Sequence, residues 1–457
     1  MDFNRFRLPA AVLLIAAAFL GTPAVSSAMP PVERLSLPNE LVLLAFPDNS
    51  LPIVTVELLV NAGSWRDPPG MDGLANVTAK SLLRGTGKVS YKELNDRLDF
   101  LGASLEADCQ KDFALIRMRM LKKDLDAGFD LLMELLTGEG FVEDEVHKEI
   151  RQIQATIDSY EDQPEELAQR NFDRLLFDGG SYAHPVEGTK ESLERLPVEA
   201  PLRFFEVYYR PGNAIMALGG DITVDEVKQR VVPRLVNWRN AKPAQQRFKP
   251  GFAEQKTVLT VPKKISQANI ALGNPALERG NKDYYALSVL SNIFGSGDLS
   301  SRLMTEIRVK RGLAYSVDST LLARKQAGAF RVDLQTKNAT AGEAIALVVE
   351  EMKRLQREPV SEAELNGAKK YLIGSFPQKF ASQRQFASFL TQIEFFGLGL
   401  DYPDKYPSLI QSVTAQDIQR LAKEYLKPDN YVLVVVGDTE EMHMEAQQPP
   451  GGPGAQK

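Results

Sequence analysis

The sequence predicts an α+β fold made of two related domains. Segments rich in β-branched residues alternate with segments of helical periodicity, without the regular strand–helix–strand order of a parallel sheet, so we expect largely antiparallel sheets. A stretch near residue 208 is repeated near residue 425. With 457 residues, of which 44% are hydrophobic and 25% charged, the chain is long enough for two cores.

The first half of the chain contains a clear run of elements. β-branched-rich or alternating apolar runs predict strands. These runs cover residues 40–46, 53–60 and 103–120. Apolar residues spaced three and four apart predict helices. These helices cover residues 73–83, 91–101, 122–137 and 143–160.

An internal repeat divides the chain. Tyr208 and Tyr425 each begin a stretch in which a turn with proline and asparagine leads into an apolar strand that ends in Gly-Asp. Five residues are identical at one constant offset, which we interpret as a duplication. The predicted domains are residues 33–237 and 257–440, with a polar linker at 238–256. Residues 446–457 are rich in glycine, proline and glutamine, which predicts a disordered tail.

Composition excludes several classes of function. The 54 Lys and Arg against 60 Asp and Glu give a net charge of −6, which argues against nucleic acid as a partner. The single cysteine, Cys109, excludes an intramolecular disulfide framework and a cysteine-rich zinc site. Three histidines leave little room for a histidine-based metal site.

The N-terminus has the pattern of a secretory signal. Arg5 and Arg7 precede an apolar run at residues 8–20, which is shorter than the ~20 residues that a membrane span needs. Small residues follow at 26–28. We therefore predict a signal peptide at residues 1–28, a periplasmic or secreted protein, and no stable membrane span after cleavage. An uncleaved N-terminal anchor remains an alternative.

Three segments carry a resemblance to a known family. Residues 61–86, which contain Asn-Ala-Gly-Ser-Trp and Gly-Leu-Ala, resemble the zinc-site segment of the pitrilysin/insulinase peptidases of the mitochondrial-processing-peptidase type. Residues 295–317 resemble the C-terminal segment of the same family, and residues 176–189 resemble a further family stretch. The resemblance implies two α+β sandwich domains that form one half of a clamshell. In some members the two halves are separate polypeptides.

The zinc motif of that family is missing from this chain. The family has H-x-x-E-H where this sequence has Asn76, Ala79 and Lys80 at the three functional positions. An inverted zinc motif needs two imidazoles one helical turn apart and a glutamate as general base. Asparagine is a poor zinc ligand, alanine cannot accept a proton, and lysine places a cation where the metal would be. We predict no metal in this chain.

The third zinc ligand of the family corresponds to a position near Glu149. Because potential partners such as Lys148 and Arg151 are close in sequence, we expect a solvated helix face here rather than a metal site. This face comprises Glu143, Glu145 and Glu149.

The second family segment keeps its functional pair. Residues 300–310 are predicted to form a helix that ends at Gly312, and residues 313–322 a strand, so Arg308 and Tyr315 can converge across the turn. The resemblance implies that this pair binds substrate carbonyls and the developing oxyanion. It also implies a substrate-holding loop at Gly295 and Gly297, although an ordinary loop is an alternative.

The resemblance predicts a non-catalytic subunit of a heterodimeric zinc metalloendopeptidase. This chain would supply arginine and tyrosine and complete the chamber for peptide substrates, and the partner would supply zinc. The main alternative is a proteolytically inert scaffold or peptide-binding protein of the same fold. Autonomous catalysis by another mechanism lacks a visible Ser-His-Asp or Cys-His set. The identities of substrate and partner, and the choice between homodimer and heterodimer, remain open.

Overall fold

The computed structural model describes residues 29–138, 140–240, 243, 248 and 250–442. The predicted signal peptide, the predicted tail and part of the predicted linker lie outside the described residues. Within those that are described, none of the helices combines the length and the hydropathy needed to cross a membrane.

The strands form two sheets. They are β1 (Glu33–Ser36), β2 (Val42–Pro47), β3 (Ile53–Val60), β4 (Ser104–Cys109), β5 (Ala114–Leu121), β6 (Ala214–Gly220), β7 (Thr257–Pro262), β8 (Gln267–Ala276), β9 (Ala314–Ala323), β10 (Gly328–Lys337) and β11 (Val432–Gly437).

The α-helices lie mainly in the segments between these strands. They are α1 (Leu74–Ser81), α2 (Tyr91–Leu101), α3 (Leu125–Thr137), α4 (Glu143–Tyr160), α5 (Pro164–Leu176), α6 (Lys190–Glu194), α7 (Ala200–Tyr208), α8 (Val224–Glu226), α9 (Val232–Leu235), α10 (Tyr284–Ser291), α11 (Ala341–Arg357), α12 (Glu362–Ser375), α13 (Gln383–Phe395), α14 (Tyr402–Gln411), α15 (Ala415–Tyr425) and α16 (Thr439–Met442).

The two sheets have the same topology. The first has the order β1-β2-β6-β3-β5-β4 and the second the order β7-β11-β8-β10-β9, so the second repeats the first without β1. The equivalent pairs β2–β6 and β7–β11 are parallel, and the other neighbours are antiparallel. The predicted duplicated α+β fold is therefore confirmed.

The repeated Gly-Asp ends the equivalent strands β6 and β11. Gly220 has φ +112°, and a Cβ there would lie 2.1 Å from the carbonyl oxygen of Ile53, so only glycine fits. In the second copy, a Cβ on Gly437 would lie 2.8 Å from Oδ1 of Asn338. Both positions are restricted by a close neighbour on an adjacent segment.

Each half covers a face of the other half's sheet with one helix. Helix α5 packs on β8 and β11, where Phe172 and Leu176 join Val434 in one apolar cluster. Helix α13 packs on β3 and β6, and the rings of Phe46 and Phe386 meet edge to face at 5.1 Å. Because of this exchange, burial of each sheet depends on both halves of the chain.

The first core extends into the predicted linker. Trp238, which the sequence places at the start of that linker, is fully buried in the core of the first half, and the side-chain amide of Asn39 donates to its carbonyl. The large apolar area of this ring is the physical reason that the chain stays on the core up to this residue.

Candidate functional site

Helix α1 carries the positions of the missing zinc motif. The carboxylate of Asp67 accepts hydrogen bonds from the backbone N–H groups of Gly73 and Ala75, both at 2.8 Å, and so caps the start of the helix. Asn76 and Lys80, one helical turn apart, face a cavity of 620 Å³, and Ala79 is fully buried in the core of the first half.

Lys80 begins a series of paired charges. Its Nζ lies 2.8 Å from Oδ1 of Asp108, and Nη1 of Arg117 lies 3.1 Å from the other oxygen of that carboxylate. Nε of Arg117 in turn lies 2.8 Å from Oε2 of Glu57. We call these four residues, Lys80, Asp108, Arg117 and Glu57, the ion-pair chain. Partial burial raises the pKa of Asp108, but its bonds to Lys80 and Arg117 outweigh this, and the pKa lies below its ordinary value.

The ion-pair chain ends at the exchanged helix α13. The carboxylate of Glu57 is almost fully buried and accepts hydrogen bonds from the hydroxyls of Ser388 and Thr391, the latter at 2.7 Å. A buried carboxylate is stable only when such partners replace its water. The charge at Lys80 is thus connected, contact by contact, to the second half of the chain.

The prediction of a solvated glutamate face is wrong for Glu149. That residue is buried, and its Oε2 lies 2.6 Å from Nε of Arg84, whereas Glu143 is exposed and Glu145 pairs with Lys148. The amphipathic rotation of α4 turns Glu149 inward, where burial requires a counter-charge. Sequence reasoning missed Arg84, although it lies four residues after Lys80, the spacing of one helical face.

These residues do not fit zinc. A zinc ion needs neutral imidazoles, thiolates or carboxylates as ligands. Here the carboxylate of Asp108 pairs with the ammonium group of Lys80, and the carboxylate of Glu149 pairs with the guanidinium of Arg84. Among the described residues, no group of three or more His, Cys, Asp or Glu side chains is placed to hold a metal. The site is a closed set of ion pairs beside a cavity.

The predicted Arg308–Tyr315 pair lies on the second half. The helical segment ends in the wide turns of Met304–Val309, Gly312 has φ +65°, and β9 begins at Ala314, as the sequence predicts. The guanidinium carbon of Arg308 lies 5.4 Å from the centre of the Tyr315 ring. Tyr315 is 73% exposed and Arg308 is also exposed. We call these two residues the Arg–Tyr pair.

The Arg–Tyr pair is not neutralised within the described part of the chain, since no carboxylate there forms an ion pair with Arg308. The neighbouring Arg311, in contrast, is 2.8 Å from Glu306. The donor groups of Arg308 and Tyr315 are therefore open to another molecule.

The two glycines expected in a substrate-holding loop lie in a packed turn. Gly295 belongs to the helical turn Asn292–Ser296 and Gly297 follows it, and both are buried. A Cβ on Gly295 would lie 2.6 Å from the backbone nitrogen of Ser319 on β9. Glycine allows this turn to pack directly on the strand that carries Tyr315, and a role in holding substrate stays a prediction.

Two family models match consecutive parts of the chain. The model described as insulinase (peptidase family M16) matches residues 43–190, and the model described as the peptidase M16 inactive domain matches residues 196–372. The chain belongs to peptidase family M16. The predicted resemblance to the pitrilysin/insulinase peptidases is confirmed.

Relatives in family M16 align along nearly the whole chain. A relative from Streptomyces coelicolor, named as an uncharacterized zinc protease, is 26% identical over 403 residues, which cover 86% of this chain and 87% of the relative. The non-peptidase homologue YmxG of Helicobacter pylori is 24% identical over 433 residues, which cover 94% of this chain and 98% of the relative. Names for active and inactive proteins thus both occur among its relatives.

Solved structures share the M16 fold. A peptidase M16 inactive domain from Pseudomonas fluorescens superposes with a TM-score of 0.82 at 24% identity, covering 92% of this chain and all of that chain. A protease from Helicobacter pylori superposes with a TM-score of 0.80 at 20% identity, covering 89% of this chain and all of that chain. At these identities the likeness establishes the fold.

Proposed function

We propose that this M16 chain is the non-catalytic subunit of a heterodimeric zinc metalloendopeptidase. It binds peptide, completes the chamber and presents Arg308 and Tyr315, and a similar subunit with an intact zinc motif supplies the metal. The observation that carries the proposal is the contrast between the two sites. The charges at the zinc-motif position are neutralised within the chain, and the Arg–Tyr pair is exposed without a counter-charge.

Arg308 and Tyr315 are suited to binding a peptide carbonyl. A guanidinium and a phenol O–H both donate hydrogen bonds, and donors placed in advance stabilise negative charge as it develops on a carbonyl oxygen. The support of the pair is rigid, because the buried turn at Gly295 packs on β9, whose first residues include Tyr315. This geometry holds donors in place for a substrate that is cleaved by another subunit.

The sheets offer a second means of binding peptide. β4 and β9 lie at the edges of their sheets and have a strand neighbour on one side only. The backbone groups on the open side of such a strand can pair with an extended peptide. β4 carries Asp108 of the ion-pair chain and β9 carries Tyr315, so each edge passes a part of the candidate site.

Co-purification with an M16 protein that contains H-x-x-E-H tests the proposal. We expect zinc in the mixture only, together with cleavage of a quenched peptide library. Arg308→Ala should lower kcat/KM of the mixture roughly 10²-fold, as is usual for loss of one oxyanion donor. The matched control is Arg311→Ala, which removes another exposed guanidinium that is already paired with Glu306. Equal activity of both variants would contradict the proposal.

The alternative, an inert scaffold or peptide-binding protein, is favoured by one comparison, the non-peptidase name of the Helicobacter pylori relative. It predicts that no M16 partner gains activity from this chain and that Arg308→Ala changes nothing. Zinc-dependent cleavage by the chain alone would contradict both functions.

The proposed place of action is the periplasm or the exterior of the cell. It rests on the signal-like order of residues 1–28, namely a basic start, a short apolar run and small residues. N-terminal sequencing of the exported protein should begin near Met29. An intact Met1 on membrane-bound protein would instead establish the anchor.

A further inference from the structure

A second cavity, of 740 Å³, lies between the two halves of the chain. Both halves contribute its walls, and most of the wall is aromatic or aliphatic. The aromatic residues include Phe113, Tyr284, Phe376, Phe389, Tyr402 and Tyr406. A cavity of this size, lined by both apolar and polar groups, is typical of a ligand site rather than of a packing defect.

Arg279 brings a positive charge into this apolar wall. Its guanidinium carbon lies 3.7 Å from the centre of the Tyr284 ring, and its Nη2 donates to the hydroxyl of Tyr402 at 2.9 Å. Within the described residues, no carboxylate pairs with it. A partly buried guanidinium held only by tyrosines keeps N–H groups available, and a carboxylate is the partner that satisfies two of them at once.

All but one of the other charged groups that line the cavity have hydrogen-bond or ion-pair partners within the described part of the chain. Four have partners within the chain. Lys111 donates to the carbonyls of Tyr182 and His184, Asp112 accepts from Tyr182 and Lys325, Glu187 pairs with Arg170, and Arg324 pairs with Asp173. The remaining group is Lys379, which is exposed and forms no ion pair with any residue that the structure describes. Within the described part of the chain, Arg279 and Lys379 are thus the cations of this cavity whose side chains have neither a carboxylate nor a backbone carbonyl as a partner, whereas both of its carboxylates have donors.

This cavity adjoins the C-terminal end of the edge strand β4. Cys109, the last residue of β4, and Glu187 line both this cavity and the cavity beside Lys80. An extended peptide on β4 advances about 3.3 Å per residue. Beyond Cys109, its next residues would enter the space between the halves.

We propose that the cavity between the halves binds the carboxylate of an extended peptide, with an adjacent large apolar side chain on the aromatic wall. Arg279 binds the carboxylate, and Lys379 attracts it at the mouth of the cavity. The inference rests on the proposed peptide-handling function. It does not need the partner subunit, because every group named belongs to this chain.

Fluorescence anisotropy with the purified chain alone tests this site. The probes are three fluorescein-labelled hexapeptides that contain leucine and phenylalanine at their last two positions. One has a free C-terminal carboxylate, one has a C-terminal amide, and one has the amide and an internal glutamate. We expect the free carboxylate to bind at least tenfold more tightly than the plain amide. Recovery of affinity by glutamate would show that an acidic side chain serves as well as the C-terminus.

Variants assign the effect to the cavity. Arg279→Gln should abolish the preference for the carboxylate, and Arg279→Lys should keep part of it. Since Arg279 packs against tyrosines, circular dichroism checks the fold. The exposed variant Lys379→Glu gives an independent test and should weaken binding several-fold. The control Lys423→Glu makes the same change of charge on the exposed surface of α15 and should alter the affinity less than twofold.

Equal affinity for carboxylate and amide would overturn the proposal, as would an unchanged preference in both Arg279→Gln and Lys379→Glu. Because the measurement contains no partner subunit, failure of partner-dependent cleavage leaves this result unaffected. The two experiments therefore distinguish failure of the heterodimer proposal from failure of the proposed carboxylate site.

Discussion

The ion-pair chain and the Arg–Tyr pair differ in where their charges are neutralised. Lys80, Asp108, Arg117 and Glu57 neutralise one another, and the last of them is buried under α13. Arg308 and Tyr315 contact each other, Arg308 also contacts the sulfur of Met304, and both side chains are exposed. The first region stabilises the fold, and the second is available to another molecule.

The difference teaches how burial decides whether a charged group needs a partner within the chain. A buried position cannot keep isolated carboxylates, because the cost of removing them from water must be offset by a counter-charge. Arg84 supplies that charge to the buried Glu149, and Lys80 pairs with Asp108, which is about half exposed. An exposed position carries no such requirement, so the Arg–Tyr pair needs no partner for stability.

The largest expected effect is on Glu57. Glu57→Ala leaves Arg117 without its buried carboxylate and removes an acceptor from two hydroxyls of α13, of which Thr391 keeps only the carbonyl of Ser388, so we expect a loss of about 3–5 kcal/mol in the free energy of unfolding. Urea denaturation measures this. The control is Glu106→Ala, which removes an exposed contact with Arg384 on the same helix and should cost at most ~1 kcal/mol. Equal losses would show that the ion-pair chain contributes no more than a surface contact.

Gly295→Ala should come next. The added Cβ would meet the backbone of β9, and overpacking of this kind costs about 1–3 kcal/mol. The control Gly367→Ala, in α12 with open space around it, should be neutral or stabilising. Because the turn supports β9, Gly295→Ala should also lower partner-dependent cleavage. Unchanged stability would show that the turn can move away from the strand at no cost.

Asp108 should give the ion-pair chain a dependence on pH. Its pKa in the folded protein lies below the ordinary value of 3.8. As the pH falls, the unfolded state therefore takes up a proton at Asp108 before the folded state does. The contribution of Asp108 to the free energy of unfolding is full above pH 3.8 and is lost as the pH falls through the lower pKa of the folded state. Asp108→Asn should cost on the order of 1 kcal/mol at pH 7, since the group is about half exposed and screened, and less at pH 3. A cost that does not vary with pH would contradict this linkage.

The smallest effect on stability is expected at the Arg–Tyr pair. Arg308→Ala and Tyr315→Phe change exposed groups, and the one buried contact is the weak one from Arg308 to the sulfur of Met304, so the free energy of unfolding should change by less than about 0.5 kcal/mol. Their predicted effect on partner-dependent cleavage is large. A loss of stability as large as that of Glu57→Ala would show that the pair is structural and would remove the contrast between the two regions.

Local periodicity predicted individual elements well. β3 has the predicted bounds 53–60, α2 the predicted bounds 91–101 and α4 the predicted bounds 143–160. These elements follow the spacing of their own apolar residues, and that spacing can be read directly from the sequence. The turn at Gly312 was predicted from a second local signal, a glycine that ends a helix.

Contacts between distant segments were not predictable in this way. Nothing in the periodicity of α5 or α13 indicates that each covers the sheet of the other half, because an apolar helix face fits either sheet. The inward rotation of Glu149 and its pairing with Arg84 depend on the packing of α4 against α1. The cavity at Arg279 needs walls from both halves, which are far apart along the chain.

The sequence by itself determined the duplicated α+β fold and the family, and it predicted the loss of the zinc motif at Asn76, Ala79 and Lys80 and the retention of Arg308 and Tyr315. These are properties of residue type and spacing. The tertiary structure decided which charges neutralise which, how the halves exchange helices, and that a cationic, aromatic cavity lies between them. The physical reason is that burial and pairing depend on distances in space, and only the packed chain sets those distances.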